Sequence, residues 1–168
     1  MGAQASGERL RMPPLGKGET LTASTEVRAS AERVYAVISD VTRIPDWSPE
    51  TVRAEWLSSE RFQAWNRRGL GRWRTVANVV DAAPGQRFSF VVQAMGGDWT
   101  QWTYVVEPGS TAGTTRLTEE FRMCVRLPFG VVVFEHLFLF VRDRRQDLQK
   151  NLDLSVGRIK AIVEAGNS

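Results

Sequence analysis

The chain has 168 residues, 42% of them hydrophobic, and a net charge of +3, which suits one domain able to bury a core without a disulfide or metal staple. A single Cys124 and a single His136 exclude an internal disulfide framework and a multi-cysteine zinc site, so no metal and no cofactor are expected. The charge is too mild for a dedicated nucleic-acid binder, and without a membrane-length apolar run or a signal-like N-terminus the expectation is a soluble cytoplasmic protein.

Residues 1–18 hold four Gly, the Pro13-Pro14 pair and no aromatic side chain. Such a stretch cannot offset its ordering entropy by burial, so it reads as a disordered tail ahead of a single domain over 19–168. Residues 20–27, rich in Thr and Val, suit a first strand. Ser30 then offers an N-cap and Glu32 suits the positive end of a helix dipole, with Arg33 where a full capping box wants Glu or Gln. Val34, Ile38 and Val41 recur at helical spacing with Tyr35 beside them, giving a short helix that ends near Asp40. A second helical turn over 41–44 is expected to stop at Pro45, and 46–50 reads as a turn with Trp47 as an aromatic plug.

From Val52 to Met123 the pattern is strand after strand: 52–57, 61–67, 72–81, 86–95, 98–106 and 114–123. Ser58-Ser59, Gly69-Leu70-Gly71, Pro84-Gly85, Gly96-Gly97 and Pro108-Gly109-Ser110 separate them, which supports an antiparallel meander with one packed face. Nine of the eleven residues in 131–141 are apolar. Beyond them Leu148, Leu152, Ser155, Val156, Ile159, Ile162 and Val163 recur every three or four residues, the stripe of one long amphipathic helix over about 142–165.

The order is strand, two short helices, six strands and a long helix, an α+β arrangement. A curved sheet of this size must cover one face, and the long helix is the element able to do so. A chain built this way resembles the helix-grip proteins of the START and Bet v 1-like superfamily, and more narrowly their polyketide cyclase/dehydrase-type members found in actinobacteria. The resemblance rests on Ala31-Glu32-Arg33-Val34-Tyr35, Asp40-Val41-Thr42-Arg43, Trp47-Ser48-Pro49-Glu50 and Phe62-x-x-x-Asn66-Arg67-x-Gly69. Trp73-x-Thr75, Pro84-Gly85, Trp102-x-Tyr104, Thr118-Glu119 and the terminal helix complete it, over about residues 20–165. It implies a cavity between sheet and helix. In aromatase/cyclase relatives, the strand matching 73–77 carries a Trp, a hydroxyl residue and an inward arginine; here Trp73 and Thr75 match and Ala77 stands at the arginine position. The glycine-rich loop of plant relatives is replaced by Ser58-Ser59-Glu60.

Strand alternation sorts side chains by face. It turns Phe62, Ala64 and Asn66 inward, with Trp73, Thr75, Ala77 and Val79, then Phe88, Phe90, Val92 and Ala94. Asp98, Thr100, Trp102, Tyr104 and Val106 follow, then Leu117, Glu119, Phe121 and Met123. Such a lining, aromatic with a few polar groups, suits a small-molecule pocket. The candidate ligand-binding residues are Tyr35, Trp47, Phe62, Asn66, Trp73, Thr75, Phe88 and Phe90, with Thr100, Trp102, Tyr104, Phe121, Leu148, Asn151 and Leu152.

Glu119 is the candidate catalytic residue: an inward carboxyl loses hydration and its pKa rises, which suits a general acid or base. The plainer reading is that Tyr104 or another neighbour satisfies it. Asp98, beside the Gly96-Gly97 turn, reads as an exposed strand end. Trp47, Trp56, Trp73 and Trp102 are pocket wall or plain core, while Cys124 and His136 read as an inert thiol and a solvated imidazole. Residues 61–74 hold five Arg, two Trp and no acid, but alternation puts most of those arginines on the solvated outer face. The leading expectation is a binder of a hydrophobic, aromatic or polycyclic small molecule. Its alternatives are a polyketide cyclase/dehydratase using Glu119 and a lipid or quinone carrier docking on membranes through 131–145, although the apolar run 131–141 reads first as a lead-in to the long helix packed on the core or as a lip over the pocket.

Overall fold

The computed structural model describes residues 15–125 and 143–166. Its seven strands are β1 (Thr20–Val27), β2 (Thr51–Ser58), β3 (Arg61–Arg68), β4 (Gly71–Ala83), β5 (Arg87–Ala94), β6 (Gly97–Pro108) and β7 (Thr115–Met123). They form one sheet in the order β1-β7-β6-β5-β4-β3-β2, every pair antiparallel. Six consecutive strands pair with their chain neighbours, as expected where short turn signals separate β-rich runs. At the β5–β6 turn, Met95 (φ 48°) and Gly96 (φ 79°) both take positive φ while Ala94 pairs with Gly97. That is the two-residue hairpin geometry whose twist matches the flanking strands.

The helices follow from local chemistry. Helix α1 (Ala31–Ile38) begins at Ser30, whose hydroxyl accepts from the Arg33 N–H at 3.4 Å. A 3₁₀ turn over Val41–Arg43, capped by the Asp40 carboxylate, leads directly into α2 (Ile44–Trp47). Pro45 therefore opens a helix instead of ending one, because it sits in the first turn where its missing N–H forfeits no hydrogen bond. Helix α3 (Arg144–Ala165) starts at Asp143, which accepts from the Gln146 N–H at 3.2 Å. At its far end the Glu164 carboxylate accepts from the Arg28 N–H at 2.9 Å and pairs with Lys160 at 3.2 Å. These contacts, the Arg28 backbone bond first among them, hold the Glu164 pKa at about 2.

Helix α3 lies across the sheet with Leu152, Ser155, Val156, Ile159 and Val163 buried. One core cluster joins α1 and α2 to the sheet through Val34, Ile38, Trp47, Phe62, Phe88, Leu117 and Ile159. The other gathers Leu15, Ala23, Phe121, Met123, Leu152 and Val156. Leu15 is only 3% exposed, and the Gly18 N–H donates to the Met123 carbonyl at 2.7 Å. Packed structure thus begins before Glu19, because one leucine ahead of β1 reaches the second cluster. The expected lip or membrane patch over 131–141 and the imidazole of His136 lie outside the described residues. No described helix is long and apolar enough to cross a membrane.

Two leucine-type truncations on one helix test this packing. Ile159→Ala, between helix and sheet, lowers the unfolding free energy by about 2–5 kcal/mol in urea titrations. Leu154→Ala, 43% exposed on the same helix, changes it by no more than about 0.5 kcal/mol.

Candidate functional site

Between the inner face of the sheet and α3 lies a cavity of about 450 Å³, closed at one end by α2. Its room has a local cause. Ala64 pairs with Thr75, Ala77 with Val92, and Val92 with Thr100, so a band of small side chains crosses the middle of the sheet. Phe62, Trp73, Phe90, Trp102 and Phe121 stand around that band. On α3, Arg144, Asp147, Leu148, Asn151 and Ser155 all face the space, at the three- and four-residue intervals of a single helix face.

The buried end carries a polar chain across three elements. The Trp47 indole N–H donates to the Tyr104 phenol oxygen at 3.2 Å, and the Tyr104 O–H donates to Glu119 Oε1 at 2.9 Å. Glu119 is 2% exposed. Burial pushes its pKa up to about 7, against smaller opposing effects of the nearby Ser155 and Tyr104 hydroxyls. Ser155 Oγ lies close enough to favour the charged carboxylate yet makes no well-formed hydrogen bond, and Glu119 Oε2 is likewise unmatched. Tyr104 is raised well above its ordinary value, by burial first and by the Glu119 charge next. Loss of hydration in an apolar wall, outweighing these hydrogen bonds, is what raises the carboxyl's pKa toward neutrality.

A second polar group lies farther along. Thr51 donates to Asn66 Oδ1 at 2.9 Å and Asn66 Nδ2 donates to Thr75 Oγ1 at 3.2 Å, which fixes the Asn66 amide. Elsewhere on the cavity rim, Arg68 grips the Asp147 carboxylate with both terminal nitrogens and reaches Glu50 at 2.8 Å. Asp147 foremost, then Glu50, hold the Arg68 pKa above its ordinary value, whereas burial lowers that of Arg144 in the same cluster. Arg68 and Asp147 thereby tie the end of β3 to the first turn of α3.

Of the residues expected around the ligand, Trp47, Phe62, Asn66, Trp73, Thr75, Phe90, Thr100, Trp102, Tyr104, Phe121, Leu148 and Asn151 line this cavity together with Glu119. Three do not. Tyr35 packs edge-on against Phe88 at 6.5 Å in the core beneath α1, and Leu152 is buried in the second cluster against β1 and β7. Each shares an inward face with lining residues but sits at a depth where the core is solid. Trp56 is neither wall nor core: it is half-exposed on the edge strand, edge-on to Phe62 at 5.8 Å.

Alternation missed Trp99. A bulge pairs Val92 with Thr100 but Gln93 with Asp98, leaving Trp99 as the extra residue at the cavity end and Asp98 exposed. Ser155 was visible as the one polar residue in the apolar stripe of the long helix. Arg68 follows Phe62, Ala64 and Asn66 in the period-two pattern, the signal that it turns inward. Among the outward residues, Trp65 lies beneath the Arg53 guanidinium at 4.7 Å. A further depression on the outer face is lined by the exposed Arg67, Arg72 and Arg74. Burial pushes the Cys124 thiol pKa up, which suits an inert thiol.

A curved antiparallel sheet gripping a long C-terminal helix over an aromatic cavity defines a helix-grip, START-like protein with a hydrophobic ligand cavity. The chain belongs to the polyketide cyclase/dehydrase and lipid transport family, whose model matches residues 19–161. No curated protein sequence matches it significantly. Among solved structures, a polyketide cyclase-like protein of Corynebacterium glutamicum is 25% identical at a TM-score of 0.59, over 92% of this chain and 96% of that one. A START superfamily protein of Mycobacterium smegmatis is 19% identical at 0.59, over 86% and 99%. A conserved protein of Geobacillus kaustophilus is 14% identical at 0.70, over 88% and 97%.

The buried carboxyl has a thermodynamic consequence. The folded protein holds the Glu119 proton up to about pH 7, whereas an ordinary glutamate releases it near 4.5. Between those values the folded state binds more protons than the unfolded chain, so this group makes stability fall as pH rises. Glu119→Gln lacks the titration. Its stability relative to wild type therefore rises from about pH 4 to about pH 8, by about 3 kcal/mol at most, in urea unfolding at each pH.

Proposed function

We propose that the protein binds a hydrophobic small molecule, aromatic or polycyclic, in the cavity between the sheet and α3. The carrying observation is a partly open cavity of about 450 Å³ walled by Phe62, Phe90, Trp102 and Phe121 with a few fixed polar groups. Pockets that bury drug-sized ligands have this size and make-up. The aromatic side chains supply contact area, while Asn66, Thr75 and Thr100 orient polar atoms of the bound molecule.

A second reading has its own support. A nearly sealed carboxyl with a pKa of about 7 is suited to proton transfer near neutral pH, so the same cavity could serve as a polyketide cyclase or dehydratase site with Glu119 as general acid/base. Ala77 supplies no arginine to polarise a substrate carbonyl, which weighs toward binding without turnover. Glu119→Gln separates the two: loss of turnover with retained ligand affinity marks catalysis, and unchanged behaviour marks a carrier.

Native mass spectrometry of freshly purified protein, compared with the same sample denatured, tests the binding reading. The expected result is an extra mass lost on denaturation, or after stripping, one molecule of added anthracene bound per chain. Thr100→Trp, which fills the middle of the cavity, removes the adduct. A clean unliganded mass together with no anthracene uptake contradicts the reading.

A further inference from the structure

The sheet ends in two edge strands, and the fold treats them differently. Along β1 the long helix covers the edge: the Gln149 amide donates to the Thr22 carbonyl at 2.9 Å, and the Lys160 ammonium donates to the Glu26 carbonyl. At the other end of the strand order stands β2. Its first residue is tied, the Thr51 N–H donating to Ser48 Oγ at 3.1 Å. Beyond Thr51, no side chain among the described residues meets a β2 backbone group. The 3₁₀ turn and α2 also pack against β2, yet Ala54 is its only buried residue.

An uncovered strand edge is a template for a further strand, which most proteins blunt. This edge carries three of the seven large apolar side chains that stand exposed among the described residues, Val52, Trp56 and Leu57. Between irregularities at Val52 and Leu57, residues 53–56 pair regularly with 62–65 of β3. That run is chemically symmetric about Ala54. Arg53 and Glu55 flank it on the outer face, and the apolar Val52 and Trp56 follow on either side.

The symmetry selects a partner. Two antiparallel copies of β2 with Ala54 opposite Ala54 set Arg53 against the other copy's Glu55, twice. Directly opposed residues hold their Cβ atoms about 4.5–5.5 Å apart, close enough for opposite charges to attract and like charges to destabilise. Centring the pair one residue earlier opposes Arg53 to Arg53, and one residue later opposes Glu55 to Glu55. A parallel approach in register does both. One register alone therefore matches charge to charge.

We propose that the β2 edges of two copies join antiparallel about Ala54, so that the protein self-associates as a twofold dimer with one sheet running through both subunits. Such an interface is isologous and closes on itself. The Arg53–Glu55 pair within each strand is no obstacle, because its side chains are 62% and 44% exposed and an exposed ion pair exchanges partners at little cost. Four regularly paired residues make a short interface, so the dimer is weak and concentration-dependent. Of β2 only Thr51 lines the cavity, so dimerisation stands apart from ligand binding.

Sedimentation velocity tests the proposal, over protein concentrations from about 1 to about 300 µM, the range in which a small interface fills. Wild-type protein passes from monomer to dimer as its concentration rises. Arg53→Glu and Glu55→Arg each weaken dimerisation about tenfold or more, since each opposes like charges twice. The double variant, with both charges reversed, regains the wild-type equilibrium, which a merely misfolded pair of single variants does not do. A wild type that stays monomeric throughout overturns the proposal. So does a dimer that neither single reversal weakens, or a double variant as weak as the single ones.

Discussion

The burial of one carboxyl group between a sheet and a helix sets the terms for the rest of this structure. Glu119 sits on the inner face of β7, where period-two alternation demands an apolar side chain, and its neighbours Leu117, Phe121 and Met123 comply. Among the described residues a charge there has no cation to offset its lost hydration, so the group is held near neutrality and bound into a chain of donors through Tyr104 and Trp47. That chain links α2, β6 and β7 at the closed end of the cavity. It also fixes which carboxyl oxygen is spent on structure.

The cavity is the other half of the same design. Helix α3 packs tightly where Val156, Ile159 and Val163 meet the sheet and the two core clusters. Toward its N-terminal half the facing sheet residues shrink to alanine and threonine, and the helix turns Asn151, Leu148 and Asp147 to the gap. Interiors pack densely wherever side chains can fill them, so a band of small residues beneath large aromatics is what leaves room. Arg68, joined to Asp147 and Glu50, then holds the helix start against the sheet across that room.

Much of this was legible from residue order alone. Turn signals delimited the six meander strands, and alternation put Phe62, Thr75, Phe90, Tyr104, Glu119 and Phe121 on the inner face. What alternation reports is a face, not a depth: Phe88 and Phe90 share one face, yet Phe88 packs on Tyr35 in solid core while Phe90 reaches the cavity. Nor does it foresee a bulge, so Trp99 and Asp98 exchange the positions a regular strand assigns them. Pro45 was misread because a proline stops one helix and starts another with the same ring, and only the chain geometry around it decides which. Ser155 interrupts an apolar helix stripe, and its meaning emerges only once Glu119 is found across from it.

The most direct test of the account is a carbon-13 NMR titration of the Glu119 side-chain carboxyl in the unliganded wild-type protein, assigned with Glu119→Gln. The account predicts a midpoint near the value of about 7 set by burial. It also predicts a further upward move in Tyr104→Phe, which removes the hydrogen bond favouring the charged form. A midpoint at or below about 4.5, the ordinary glutamate range, would mean a solvated or cation-paired carboxylate and would contradict the neutral acid.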